Sequence, residues 1–204
     1  MAPSRSNSGR PVRTMIMGIP NVGKSTMINA LLGKRIAKVG NEPAVTKSQT
    51  RFTTKNGMAL SDTPGILWPK IEDKDSGYRL AASGAIKDTA IDYEDVALFA
   101  AGFMLSDYPA RTQERYKLKT LPETAEGLLE EIGRKRGGLR PGGVIDMHKA
   151  SEVLLHEMRS GKLGRLTFET VAEWEEKHRL AELARLEAEA EAAAQAEAEQ
   201  QEQK

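Results

Sequence analysis

The sequence contains no cysteine, which excludes disulfide-linked partners, thiolate metal sites and cysteine nucleophiles, and makes a reducing, cytoplasmic setting the simpler expectation. No apolar run approaches the roughly 18 residues that a membrane-spanning helix requires, so no membrane partner is expected. Aromatic residues are scarce at 5%, hydrophobic residues reach only 39%, and 29% of the chain is charged. Part of a chain so composed is expected to lie outside any packed core. The stretch from Arg179 to Lys204 fits that description, with seven acidic and three basic residues and no aromatic, glycine or proline. Its alanine, glutamate and glutamine favour helix. Glu187 and Glu191 repel at i, i+4, and no large apolar residue follows Leu186, so a solvated, partly frayed helix is expected.

Acidic residues are missing from the first fourteen positions, MAPSRSNSGRPVRT. That composition superficially resembles an organellar transit peptide, but it runs straight into a predicted strand, and residues 1–11 read as a disordered leader. The shortage of acids extends further. Residues 1–70 carry eleven Lys/Arg against two Asp/Glu, whereas residues 71–178 carry sixteen against twenty, so the overall charge of +1 conceals two unlike parts. A front this basic points to a polyanion, either nucleotide phosphates or nucleic acid.

The run Val12–Met17 ends at Gly18 and reads as a strand, and Lys24–Leu32 has helical spacing of Met27, Ile28, Leu31 and Leu32. Two further strands, Gln49–Lys55 and Met58–Ser61, meet through Asn56-Gly57, a strong hairpin signal. The remainder reads as helical: Leu80–Lys87, Glu94–Leu105, Ala110–Tyr116, Glu123–Arg136, Met147–Arg159, and Val171 into the tail.

Between the first strand and the first helix, Gly18-Ile19-Pro20-Asn21-Val22-Gly23-Lys24-Ser25 fits G-x-x-x-x-G-K-[ST]. Such a loop curls so that backbone N–H groups converge on a β-phosphate at the positive end of a helix. Lys24 would bridge β- and γ-phosphate oxygens, Ser25 would offer a hydroxyl to Mg²⁺, and Thr26 would reach the α-phosphate. Asp62-Thr63-Pro64-Gly65 follows at the end of a strand, 37 residues after Ser25. Its aspartate would face Mg²⁺ from the other side, and the Gly65 N–H would sense a γ-phosphate. Between the two motifs, Thr46 is the candidate switch threonine for Mg²⁺, with Thr50 as second choice. The guanine-reading tetrad [NT]-K-x-D is absent from the whole sequence, and three strands fall short of a complete P-loop sheet.

The strings MIMGIPNVGKSTMINAL, LSDTPGILWPKIED, SGAIKD, ERYKL and GRLTFE closely resemble the YlqF/RbgA family, ribosome biogenesis GTPase A, from about Arg10 to Glu169. The resemblance implies a circularly permuted G-domain, in which guanine-reading motifs precede the P-loop, followed by a helical domain that binds ribosomal RNA. It therefore implies that the base-reading tetrad and an N-terminal histidine of the family would precede Met1, leaving no catalytic residue to assign here. By position it implies nucleotide contacts at Gly18, Asn21, Val22, Gly23, Lys24, Ser25, Thr26 and Gly65, and Mg²⁺ near Ser25, Thr46 and Asp62. It also implies GTP/GDP as ligand, stimulation by the large ribosomal subunit, and a monovalent cation, K⁺, with Asn21 as its candidate ligand. Two departures from the family stand out: Ala44 where the family usually has glycine, and the missing front. Ile66 stands after D-x-x-G where many GTPases have glutamine, and its side chain can neither donate to nor accept from an attacking water.

The expected fold is thus α/β. A partial P-loop NTPase of the permuted kind spans 12–78, a mostly α-helical rRNA-binding domain spans 79–178, and a helical or disordered tail spans 179–204. Eight cations cluster between Ile132 and Phe168: Arg134, Lys135, Arg136, Arg140, Lys149, Arg159, Lys162 and Arg165. They are the candidate contacts to the phosphate backbone of RNA. The aromatics Phe99, Phe103 and Trp174 read as packing residues, and the three histidines lack metal-ligand spacing. Three functions are open on these grounds: a ribosome-assembly GTPase, a ribosome- or rRNA-binding fragment that neither selects guanine nor turns over, and an ATP-using P-loop protein.

Overall fold

The computed structural model describes residues 12–37, 50–54 and 57–202, with 193–202 as backbone only. The leader, Ala44 and Thr46 lie outside the described residues. Two compact units are present, Met1–Gly164 and Arg165–Lys204.

The first unit opens with three strands, β1 (Val12–Ile16), β2 (Thr50–Thr53) and β3 (Met58–Asp62), and one helix, α1 (Lys24–Leu32). The strand order is β1-β3-β2, so β3 is central. It pairs parallel with β1, from Val12 beside Met58 to Ile16 beside Asp62, and antiparallel with β2, where Thr50 faces Asp62. The predicted antiparallel pairing of β2 with β3 is present, while Asn56 in the connection lies outside the described residues. Ile28 on α1 and Leu60 on β3 are fully buried and form the core between helix and sheet. The register has a functional result. The chain leaves β1 into the phosphate-loop motif and leaves β3 into D-x-x-G at the same end of two neighbouring parallel strands, where α/β sheets bind ligands.

Five helices follow in the same unit: α2 (Lys74–Ala82), α3 (Tyr93–Asp107), α4 (Pro109–Tyr116), α5 (Ala125–Arg136) and α6 (Met147–Arg159), with a single 3₁₀ turn at Asp88–Ala90. Four have side-chain N-caps, Asp73, Asp92, Thr124 and Asp146, each accepting a backbone N–H of the first turn. Pro109 opens α4 at a position where a missing N–H costs nothing. Helix α3 is the hub, packing against α2, α4, α5 and α6. Its buried face is Val96, Ala97, Ala100, Ala101 and Met104, where the three alanines let neighbours approach closely, and Leu128, Leu129, Ile132, Leu154 and Leu155 fill the space around it. At roughly 1.5–3 kcal/mol per fully buried aliphatic side chain, this cluster dominates the stability of the helical part.

Helix α2 departs from the expectation of Leu80–Lys87: it starts six residues earlier and stops at Ala82. The cause is local. Asp73 caps the first turn through Ser76 N and Ser76 Oγ, and the chain turns left-handed at Gly84, whose φ is +80°. The other helices fall where the apolar spacing puts them, within two residues at their ends. In the second unit, α7 (Val171–Glu202) continues through the tail, with Trp174 stacked on His178. No helix among the described residues is long and apolar enough to cross a membrane.

Candidate functional site

The loop between β1 and α1 carries the site. Lys24 is buried, and its Nζ donates to the Ile19 carbonyl at 2.8 Å, folding the side chain back along the loop it belongs to. Burial lowers the Lys24 pKa from the ordinary lysine value, and the nearby Asp62 carboxylate opposes that shift. Ser25 Oγ donates to Asp62 Oδ2 at 2.7 Å, joining the two motifs. Asp62 is only 2% exposed. A hydroxyl and a carboxylate in contact at a helix N-terminus are hard oxygen donors of the type Mg²⁺ takes, so the residues present fit that ion.

The D-x-x-G loop is fastened at three points, one on the end of β1 and two on the phosphate loop. Thr63 Oγ1 donates to the Ile16 carbonyl at 2.7 Å, and the Ile66 N–H donates to the Gly18 carbonyl at 3.3 Å. Gly65 lies directly on Pro20: a Cβ there would fall 2.5 Å from the proline N and Cα, a distance no side chain tolerates against backbone. The glycine of D-x-x-G is thus required by contact with the phosphate loop as well as by any phosphate it faces. Asn21, at φ +58°, donates from Nδ2 to the Gly84 carbonyl at 2.7 Å, 63 residues away. Val22 is exposed, and Gly23 accepts from the Met27 N–H as α1 begins. Gly18, Asn21, Val22, Gly23, Lys24, Ser25, Thr26, Asp62 and Gly65 therefore lie in one neighbourhood, formed by the phosphate loop, the start of α1 and the end of β3.

The cations proposed for RNA are distributed differently from their grouping in sequence. Lys135 Nζ donates to the Lys117 carbonyl at 3.1 Å and Arg136 Nη2 to the Arg115 carbonyl at 3.2 Å, so the end of α5 caps the end of α4. Arg134 pairs with Glu130 and Glu131, Arg140 with Asp146, and Lys149 with Glu152. The Lys162 N–H closes the turn after α6 on the Glu157 carbonyl. Arg165 opens the second unit. Arg159 is turned inward, with its side chain 15% exposed. Sequence reasoning missed Thr63, Gly84, Arg115 and Glu157. Each acts on a partner far away in the chain, where neither motif spacing nor helical periodicity gives a signal.

A sequence profile described as "50S ribosome-binding GTPase" matches residues 13–124, more than half of the chain. The chain belongs to this family. It is 52% identical over 168 residues to ribosome biogenesis GTPase A of Bacillus cereus, covering 82% of this chain and 57% of that protein. With the Thermotoga maritima protein of the same name it shares 36% identity over 160 residues, covering 78% and 57%. A GDP-bound structure of TM YlqF superposes with a TM-score of 0.55 at 30% identity, covering 80% of this chain and 62% of that one. The GNP-bound YlqF of T. maritima gives 0.51, covering 77% and 58%. The chain thus spans somewhat over half the length of the curated relatives it matches. The resemblance to the YlqF/RbgA family read from the motifs is borne out by these relatives, and the α/β, mostly helical architecture by the solved structures.

Proposed function

We propose that this chain binds a guanine nucleotide with Mg²⁺ in the loop 18–25 and serves as a GTPase in assembly of the large ribosomal subunit in the cytoplasm, docking on its rRNA. The observation that carries the nucleotide reading is the Ser25–Asp62 contact at 2.7 Å, which unites the phosphate loop with D-x-x-G beside the buried Lys24. Backbone N–H groups at the start of α1 bind the phosphates. Lys24 exchanges its Ile19 carbonyl for phosphate oxygens, placing its ammonium against them. Ser25 and Asp62, with Thr46 as the third candidate, hold Mg²⁺, which when bound neutralises charge on the phosphates and orients them. Asn21 is the candidate for K⁺. Gly65 packs against Pro20 of the phosphate loop, which supports its N–H as the candidate sensor of a γ-phosphate, and the Ile66 side chain offers no group to orient water.

The absence of [NT]-K-x-D from the sequence favours a second reading, an rRNA-binding chain that holds phosphates without selecting the base. Titration calorimetry with Mg²⁺, in the presence and absence of large subunits, separates the two. GTP bound at least about tenfold tighter than ATP supports the first, and equal weak binding with retained subunit association supports the second. A preference for ATP overturns both.

The RNA reading rests on Lys135 and Arg136, which bring the end of α5 over the end of α4, together with Arg134 beside them. Replacing all three by glutamine is expected to lower affinity for large-subunit rRNA and to reduce the slope of log K against log salt by about one to two. Because Arg134 already shares its charge with two glutamates, its own part is the smallest. An unchanged salt slope overturns the assignment of this surface.

A further inference from the structure

Arg159, the last residue of α6, reaches back to the turn that supports the phosphate loop. Its Nε donates to the Ala82 carbonyl at 3.0 Å and its Nη2 to the Ala81 carbonyl at 2.8 Å. Those oxygens belong to the end of α2, where carbonyls run out of intrahelical donors. Both terminal nitrogens also meet the Asp88 carboxylate at 3.0 Å, and the guanidinium lies over the ring of Tyr93. The planar fork is thus fixed from four sides, a role for which lysine is a poor substitute.

Immediately after this turn stands Gly84, left-handed at φ +80°. A Cβ on it would meet Arg159 Nε at 3.3 Å and Asn21 Nδ2 at 3.5 Å. Gly84 is therefore a thin partition between the guanidinium and the asparagine amide, and its carbonyl accepts from Asn21 at 2.7 Å. The Asn21 φ of +58° is left-handed, a conformation uncommon outside glycine that asparagine tolerates better than most side chains, and the Gly84 carbonyl fixes its amide there.

We propose that Arg159 is a positioning residue for the phosphate loop: by fixing the Gly84 carbonyl it holds Asn21 left-handed, and with it the backbone N–H groups that meet the phosphates. The inference rests on the reading of 18–25 as the nucleotide site. It takes Arg159 out of the RNA-facing set and gives α6, which lies beyond the residues matched by the family profile, a part in nucleotide affinity.

The test is a double-mutant cycle on the full chain with Mg²⁺ and GDP, read by titration calorimetry alongside melting temperature. Arg159→Lys and Asn21→Ala are each expected to weaken GDP binding by about tenfold. Their combination is expected to be no worse than the weaker-binding single variant, since both break one linkage. A general loss of stability would not produce that non-additivity. Should Arg159→Lys fold poorly, Asp88→Asn loosens the same guanidinium from outside the loop, and its effect is likewise expected to vanish in the Asn21→Ala background. Multiplicative effects, or an Arg159→Lys affinity within twofold of the parent, overturn the positioning role. Lys24→Ala distinguishes the two readings: GDP binding that survives it overturns the loop assignment, whereas binding lost there but indifferent to Arg159→Lys overturns only the inference.

Discussion

Lys24→Ala is expected to weaken nucleotide binding by about 30- to 4,000-fold, the equivalent of about 2–5 kcal/mol for truncating one member of a buried charged pair. The size of the effect follows from where the ammonium sits. It is largely withdrawn from water and turned onto the Ile19 carbonyl, so no solvent-exposed lysine could replace it. The same burial gives the site a pH dependence of known sign. In the free protein the Lys24 pKa lies below 10.5, lowered by desolvation and only partly restored by Asp62. Phosphates favour the charged form and raise it again, so binding takes up protons wherever free Lys24 is partly neutral. Affinity should therefore fall as pH rises through the lowered pKa, before the ordinary lysine range is reached. Calorimetry in buffers of different ionisation enthalpy measures the uptake directly. An affinity flat across the alkaline range in the parent protein would contradict it.

The largest effect on stability is expected at the junction of α4 and α6. Glu157 is buried, and Arg115 grips it with a bidentate fork, Nε to Oε2 at 2.9 Å and Nη2 to Oε1, while Arg136 Nε stands 4.0 Å from the same carboxylate. Removing Arg115 leaves a buried carboxylate whose nearest remaining cation is too far for a strong bond. A fully buried pair broken in this way costs about 3–5 kcal/mol, and because the Arg115 side chain is 28% exposed, Arg115→Ala is expected to cost about 2–3. Thermal denaturation should show a fall of about 4–12 °C. Replacing both partners by apolar residues, Arg115→Met with Glu157→Leu, should cost less than the single change, because no charge is then stranded.

Acid should find the same contact. Burial pushes the Glu157 carboxyl upward, but the Arg115 fork, with Arg136 and Tyr116, outweighs it and leaves the pKa below the usual glutamate value. The stabilisation is complete above the unfolded-state pKa near 4.5 and is lost as pH falls through the lower folded value. In Arg115→Ala that acid-sensitive component should shrink.

Much of the site was legible in the sequence because its parts are contiguous. Gly18 to Ser25 and Asp62 to Gly65 announce themselves by spacing, and the register of β1 on β3 places them at one end of the sheet. Most helix positions were legible for a similar reason, since apolar periodicity is a local property. The start of α2 was missed because EDKDS reads as a polar loop, although Asp73 as an N-cap residue with Asp75 in the first turn is a helix-start signal that could have been used. The cations were the least legible. Charge counting placed Arg159 among RNA contacts, whereas its guanidinium is occupied by two carbonyls 77 and 78 residues away. Pairings of that kind are created by helix packing, and composition carries no trace of them. Thr46 falls outside the described residues, so the switch loop stands on its sequence alone.

The parallel pairing of β1 with β3 also has a consequence in time. Hairpin β2–β3 and the contacts within each helix join near neighbours, but Ser25 meets Asp62, 37 positions further on, only after the intervening chain has been brought round. Closing such a loop costs entropy before any contact repays it, and parallel strands pay more of this than hairpins do. The Ser25–Asp62 contact on which the proposed nucleotide site rests can form only once β3 has been made and docked, so that site is completed later in synthesis than its first residues are translated.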